Sequence, residues 1–120
     1  MMQSNIFATV APLLKERKLT YDGEALKEFF NHYRSGEWIY PDAMHRALSL
    51  TIQEVYEILE AGVDAKALEQ NLEVYCPRCQ RFVGKRYKSI FDIPEEVNCV
   101  HCDFEIEDPL RHAIVIYKVL

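Results

Sequence analysis

Cys76-Pro77-Arg78-Cys79 and Cys99-Val100-His101-Cys102 are two Cys-x-x-Cys motifs, and 19 residues lie between them. Each motif can hold two thiolates on one side of a tight turn, and two such turns complete the tetrahedral shell that zinc prefers. The separation lies within the range of four-cysteine zinc sites. The sequence therefore predicts one structural zinc ion, Zn2+, and its ligands are Cys76, Cys79, Cys99 and Cys102.

A redox dithiol and a pair of disulfides are the competing interpretations of these cysteines. A thioredoxin-like site has a Cys-x-x-Cys that opens a helix in a βαβ setting, and neither motif has that setting. Disulfides are rare in the reducing cytoplasm, where we expect this protein because its N-terminus does not resemble a signal peptide. Four thiolates close the shell, so we expect no catalysis by the metal and interpret His101 as a solvent-facing loop residue.

The composition predicts a folded, acidic protein. Its 120 residues are 49% hydrophobic and 12% aromatic, which is enough for one compact unit or two very small ones sharing a core. The net charge of −5 argues against a general nucleic-acid or membrane binder, which usually has an excess of basic residues. The longest apolar runs are far too short to span a bilayer, so we expect no membrane partner.

The character of the chain changes near residue 71. Residues 1–71 have a helical pattern and no cysteine, whereas residues 72–120 contain all four cysteines and alternate in the manner of strands. We therefore expect an α+β fold with two domains. The first, residues 1–71, is helical, and the second, residues 72–120, is rich in β-structure.

Local signals place four helices in the first part. A helix over 5–18 is expected to begin after Ser4, with Pro12 either kinking the helix or marking its start instead. Asp22 is a good N-cap for the next helix. The extended residues 38–40 precede a helix over 41–48. Thr51 and Glu54 form a capping box that starts another helix. Its expected buried stripe comprises Ile52, Val55, Tyr56, Leu59 and Val63.

Two helices joined by the short turn Ser49-Leu50 and followed by strands suggest a helix-turn-helix that continues into a wing. Residues 22–75 resemble winged helix-turn-helix domains, and residues 74–120 resemble zinc-ribbon domains. The resemblance implies a helical winged-helix-like domain followed by a β-rich zinc ribbon. Ribbon knuckles commonly carry glycine just after the second cysteine, where the backbone favours positive φ. Here those positions are Gln80 and Asp103.

The charges of the helix over 51–61 disfavour DNA recognition. This helix would enter the major groove of DNA, yet its solvent positions are Gln53, Glu54, Glu57 and Glu60, and it contains no lysine or arginine. Basic side chains supply most nonspecific affinity for DNA and the commonest base contact.

A better basic surface lies in the ribbon, where aromatic Phe82 and Tyr87 are interleaved with cations. Nucleic acid and a protein partner are both alternatives for it. The simplest expectation is cross-strand pairing with the acidic residues that follow, from Asp92 to Asp108. The basic residues are Arg78, Arg81, Lys85, Arg86 and Lys88.

No catalytic triad, phosphate-binding glycine loop or spaced carboxylate pair stands out, so we expect no enzyme. We expect a non-catalytic, zinc-stabilised adaptor or accessory subunit that binds another protein. The sequence also resembles small winged-helix and zinc-ribbon components of multi-gene bacterial systems, including regulatory and defence operons. The alternative is a DNA-binding transcriptional regulator that uses the winged helix or the basic hairpin.

Overall fold

The computed structural model describes residues 6–16 and 22–120. Its four α-helices are α1 (Ile6–Glu16), α2 (Gly23–Asn31), α3 (Pro41–Leu48) and α4 (Ile52–Asp64). Its strands are β1 (Trp38–Ile39), β2 (Leu68–Tyr75), β3 (Phe82–Tyr87), β4 (Val97–Asn98), β5 (Glu105–Ile106) and β6 (Ala113–Val119). Short 3-10 helices cover Ile90–Asp92 and Pro109–His112. The predicted α+β class is confirmed.

The four-stranded sheet has the order β1-β6-β2-β3. β1 and β6 pair antiparallel, with Trp38 opposite Lys118. β2 and β3 also pair antiparallel, with Glu73 opposite Arg86. The strand predicted at the C-terminus is β6, and it lies between β1 and β2. β4 and β5 form a separate antiparallel pair.

Contacts along the chain define two compact units. The first comprises Met1–Glu69 together with Tyr117–Leu120, and the second comprises Gln70–Ile116. The end of the chain belongs to the first unit, where the backbone N–H of Leu120 donates to the carbonyl of Ala67 at 3.0 Å. The predicted domains, 1–71 and 72–120, stay a prediction.

The helix ends follow local chemistry. Asp22 accepts hydrogen bonds from the backbone N–H groups of residues 24 and 25, and Thr51 and Glu54 form the predicted capping box. Pro41 lies in the first turn of α3, and Ser49 ends that helix in the left-handed region, with φ of 54°. Pro12 lies inside α1. The predicted cap Ser4 and residues 17–18 lie outside the described residues.

The first unit is built around α4, which packs against α1 and α3, while α2 contacts the same two helices. One expectation about α4 is wrong, because Ile52 is 47% exposed. It is the first helical residue, beside the capping turn. Tyr56 and Val63 are only half-buried. The buried stripe of α4 comprises Val55, Ile58, Leu59, Ala61 and Gly62.

Gly62 has no room for a side chain. A Cβ atom there would lie 2.5 Å from Cδ1 and 2.9 Å from Cγ of Leu68, whose side chain is 2% exposed. Alanine usually stabilises a helix interior by about 1 kcal/mol relative to glycine. Overpacking a core has the opposite effect, about 1–3 kcal/mol. The contact with Leu68 should therefore decide whether a methyl group at position 62 raises or lowers the stability of the protein.

We expect Gly62→Ala to lower the free energy of unfolding by about 1–2 kcal/mol, because the new methyl group collides with Leu68. Leu68→Ala alone should cost about 2–5 kcal/mol. Adding Gly62→Ala to that variant should then be neutral or stabilising, since the collision is gone. Urea unfolding, followed by the fluorescence of the single tryptophan Trp38, measures the free energy of unfolding of the wild type, both single variants and the double variant. Stabilisation by Gly62→Ala in the wild-type background would contradict the packing argument.

Candidate metal centre

The four cysteines meet at one point in the second unit. The Sγ atoms of Cys76 and Cys102 are 3.6 Å apart, and those of Cys79 and Cys99 are 3.5 Å apart. All four sulfurs lie 3.5 to 3.9 Å from one another. Within the described residues, this is the one group of three or more cysteine, histidine or carboxylate side chains that could hold a metal ion.

These distances fit a single tetrahedral ion. Four sulfurs placed about 2.3 Å from a central ion are about 3.8 Å from each other, which lies inside the observed range. A disulfide would require sulfurs about 2.05 Å apart, and all four cysteines are free. The predicted ligands are therefore brought together as a possible single metal site.

The first knuckle is a hydrogen-bonded turn. The backbone N–H of Cys76 donates to the carbonyl of Arg81 at 2.9 Å, and that of Gln80 donates to the carbonyl of Cys76 at 2.8 Å. The backbone N–H of Cys79 points at the sulfur of Cys76, 3.5 Å away. Such N–H groups favour the negatively charged thiolate.

The second knuckle repeats the pattern. The backbone N–H of Cys99 donates to the carbonyl of Phe104, and that of Asp103 donates to the carbonyl of Cys99, both at 2.9 Å. The backbone N–H of His101 lies 3.4 Å from the sulfur of Cys99. The side chain of His101 is exposed. The two motifs thus fold in the same way.

The position after each second cysteine has the left-handed backbone that the ribbon resemblance implies. Gln80 has φ of 61° and Asp103 has φ of 59°. Aspartate tolerates this region fairly well, whereas glutamine does so less readily. The first knuckle therefore holds more backbone strain at this position than the second.

The thiols differ in their readiness to lose a proton. Burial alone would raise the pKa of Cys76, but the backbone N–H groups of Cys79 and Arg78 and the neighbouring sulfurs outweigh it and lower that pKa to about 7. At Cys102 the backbone N–H of Phe104 favours the thiolate. Burial and the other three sulfurs outweigh it and raise the pKa of Cys102 to about 12. A metal must displace these protons, so its affinity falls as the pH falls.

An apolar cluster surrounds the sulfurs and includes two of the ligands, Cys76 and Cys99, as buried members. Its strands and loops position the thiolates and bury Cys76 and Cys99, whereas Cys79 and Cys102 are half-buried. The other buried members are Leu72, Val74, Val83, Tyr87, Val97 and Ile106.

The five basic residues from Arg78 to Lys88 do not pair as expected. Lys85 and Arg86 lie on β3, and Arg86 forms an ion pair with Glu73 on β2. Within residues 22–120, Arg78, Arg81, Lys85 and Lys88 form no ion pair. The expectation that residues from Asp92 to Asp108 neutralise the hairpin is therefore wrong.

Three of the cations lie over aromatic rings instead. The Lys85 ammonium is 5.5 Å from the centre of the Tyr87 ring. The Arg86 guanidinium carbon is 5.0 Å from the centre of the Phe82 ring. Arg78 lies 6.0 Å from the ring centre of Phe104. The two rings predicted to be interleaved with the cations are thus already in contact with them.

Glu73 is a polar residue that the sequence pattern did not reveal. It is fully buried, and its carboxylate accepts hydrogen bonds from Arg86 Nε at 2.8 Å and from the Tyr75 hydroxyl at 2.9 Å. Residues 71–74 are buried in succession, so β2 is covered on both faces. Only the register of β2 against β3 identifies the partner of this carboxylate.

Comparison of the chain with protein-family models, curated proteins and solved structures gives no match. The resemblance to winged-helix and zinc-ribbon domains therefore stays a prediction. No helix in the described part of the chain is long and apolar enough to cross a membrane.

We expect the purified protein to contain about one metal ion per chain, because four thiolates close one tetrahedral shell. Mass spectrometry of the elements measures the stoichiometry and distinguishes zinc from iron. Cys99→Ser should lose the ion and unfold much of the second unit, since metal binding supplies folding free energy. A metal content near zero in folded protein, or two disulfides in its mass, would contradict the site.

Backbone strain at Gln80 predicts a gain in metal affinity on substitution by glycine. We expect Gln80→Gly to tighten binding roughly two- to fivefold, or about 0.5–1 kcal/mol, after the flexibility of glycine in the unfolded chain is deducted. Competition with a chelator of known affinity measures the change. Arg81→Gly is the matched control, because Arg81 lacks a positive φ and should show no gain. Equal effects at both positions would disprove the strain argument.

Proposed function

We propose that this protein is a non-catalytic, zinc-stabilised adaptor or accessory subunit that binds another protein in the cytoplasm. The observation that carries the proposal is a set of large apolar side chains exposed on the second unit. Phe91 is 90% exposed, and Ile90 and Leu110 are 51% and 54% exposed. Ile90 and Leu110 line the same groove, and contiguous apolar exposure of this kind marks interaction surfaces in small proteins.

The order of elements supports a winged-helix assignment for the first part of the chain. α3 and α4 are joined by a short turn and followed by β2, whose neighbours in the sheet are β6 and β3. The segment from Cys76 to His112 separates β2 from β6 in the sequence, which is where a wing would lie. Its two similar knuckles support a zinc ribbon, and zinc is the redox-inactive ion that such a closed shell prefers.

A structural role for the ion follows from its ligands. A catalytic zinc keeps an open coordination position for water or substrate. Here four thiolates fill the shell, and two of them are buried within the apolar cluster. The proposal therefore includes no chemistry at the metal.

Binding of DNA through α4 is disfavoured by charge. Glu54 is engaged in the capping box, and Glu60 accepts a hydrogen bond of 2.7 Å from the hydroxyl of Tyr117. Burial, together with this carboxylate, raises the pKa of Tyr117. These acidic groups belong to the packing of the first unit, and α4 offers no lysine or arginine to a phosphate.

The alternative, a transcriptional regulator that uses the basic hairpin, draws support from Arg81, Lys85 and Lys88, which are exposed and without carboxylate partners among the described residues. Against it, Phe82 is half-buried and Tyr87 is 6% exposed. Rings in these positions have little free face for stacking with bases. Binding of a protein, within a multi-component bacterial system, is therefore the better proposal.

Duplex DNA from the region upstream of the gene should bind no more tightly than about 1 μM at about 150 mM salt, as nonspecific binders do. Fluorescence titration measures this affinity. In parallel, the tagged protein at native abundance should copurify with one stoichiometric partner, and Cys99→Ser should lose it. Nanomolar, sequence-selective binding of DNA would overturn the adaptor proposal in favour of the regulator. The absence of any stoichiometric partner would also contradict the adaptor proposal.

A further inference from the structure

A groove in the second unit is lined by two segments, residues 90–95 and 107–110, and has a volume of about 430 Å³. One part of its lining is apolar and includes Ile90, Ile93 and Leu110. Ile90 and Leu110 are more than half exposed. Phe91, the residue after Ile90, is 90% exposed. Apolar area of this kind gains free energy when another molecule covers it.

The other part of the lining is acidic and comprises Glu95, Glu107 and Asp108. Asp108 has cationic neighbours on its own turn, with Arg111 Nε at 3.9 Å and His112 Nε2 at 3.5 Å. Glu95 and Glu107 form no ion pair within residues 22–120. Their charge is therefore available to a ligand.

The negative charge around the groove is crowded. A hydrogen bond with Glu105, followed by the charges of Glu105, Glu107 and Glu95, raises the pKa of the neighbouring Glu96. Residues 89–112 contain seven carboxylates and one arginine. A cationic ligand would relieve this repulsion, and a neutral apolar ligand would not.

We propose that this groove binds a segment of another protein in which an apolar side chain lies between lysines or arginines. The apolar side chain covers Ile90 and Leu110, and the flanking cations lie against Glu95 and Glu107. This inference rests on the proposed function and names the chemistry of the partner. The apolar side chain of the partner then lies in the groove, and the charged side chains lie at the rim of the groove. This is the usual arrangement in protein interfaces.

A second copy of the chain is a poorer occupant. In its second unit, the described cations without a carboxylate partner are Arg78, Arg81, Lys85 and Lys88, on or near β3. The aromatic residues between them, Phe82 and Tyr87, lie under Arg86 and Lys85 and are at least half-buried. Two copies of a chain with a net charge of −5 also repel one another, which disfavours self-association.

The test is selection of peptides from a random 12-residue phage library on the full-length, metal-loaded protein. The enriched peptides should share an apolar residue flanked by lysine or arginine. Their affinity, measured by fluorescence polarisation, should fall at least about fivefold between about 50 and about 300 mM salt, because exposed charges are screened. Peptides with the cations replaced by glutamate should not bind.

Groove variants then locate the site. Leu110→Ser should weaken binding at least about tenfold, and Glu107→Lys at least about fivefold with a smaller salt dependence. Val100→Ser removes an apolar side chain of the same unit that does not line the groove. Glu24→Lys makes the same change of net charge on α2. Both controls should stay within about twofold of wild type, because neither touches the peptide.

Metal content and circular dichroism show which variants are folded, and Ile90→Ser replaces Leu110→Ser if the latter does not fold. The inference is overturned if no peptide is enriched, if the consensus lacks basic residues, or if groove and control variants weaken binding equally. Self-association that Leu110→Ser abolishes would assign the groove to a second copy instead. A stoichiometric partner that copurifies equally with wild type and Leu110→Ser would retain the adaptor function and overturn the groove as its site.

Discussion

Four sulfur atoms held 3.5 to 3.9 Å apart are a demanding arrangement, because thiolates at this distance repel one another unless a cation lies between them. The pKa values of the cysteines express this conflict. The pKa of the Cys76 thiol is lowered to about 7, whereas the pKa of the Cys102 thiol is raised to about 12. An ion at the centre removes the repulsion and replaces the protons. Most of the second unit is arranged around that point, since two of the four ligands belong to its apolar cluster.

Features that depend on a few neighbouring residues could be predicted from the sequence. The Asp22 cap, the Thr51–Glu54 capping box and the start of α3 at Pro41 each need only local hydrogen bonds or a fixed φ. The two knuckles belong to the same class, because Cys-x-x-Cys spacing and the backbone after it determine where the thiolates can lie. The left-handed backbone at Gln80 and Asp103 is what the ribbon resemblance implied.

Features that depend on strand register could not be predicted. Glu73 is buried because β2 is covered on both faces, and its charge is tolerated because the register places Arg86 opposite. The same pairing engages Arg86, which is one of the five cations of the basic surface expected from the sequence. The acidic residues after Asp92 were expected to neutralise β3, but β4 and β5 form a sheet of their own. The acidic residues around β4 and β5 are therefore not paired in the sheet with the basic residues of β3, although the two groups are close in the sequence.

The position of the groove connects its stability to the metal. Its first segment, 90–95, leads into β4 and then Cys99, and its second, 107–110, begins directly after β5, which follows Cys102. β4 and β5 are two residues long, and a hairpin of that length is not stable by itself. What holds the two strands together is the packing of Val97 and Ile106 in the apolar cluster and the knuckle at their tip. An ion bound to the four thiolates therefore stabilises the strands that carry both sides of the groove. By mass action, a ligand that binds only the ordered groove would in turn stabilise the metal-bound state. On the proposed function, the metal site and the docking groove would be two ends of the same hairpin, and the adaptor would bind its partner only while the site is filled.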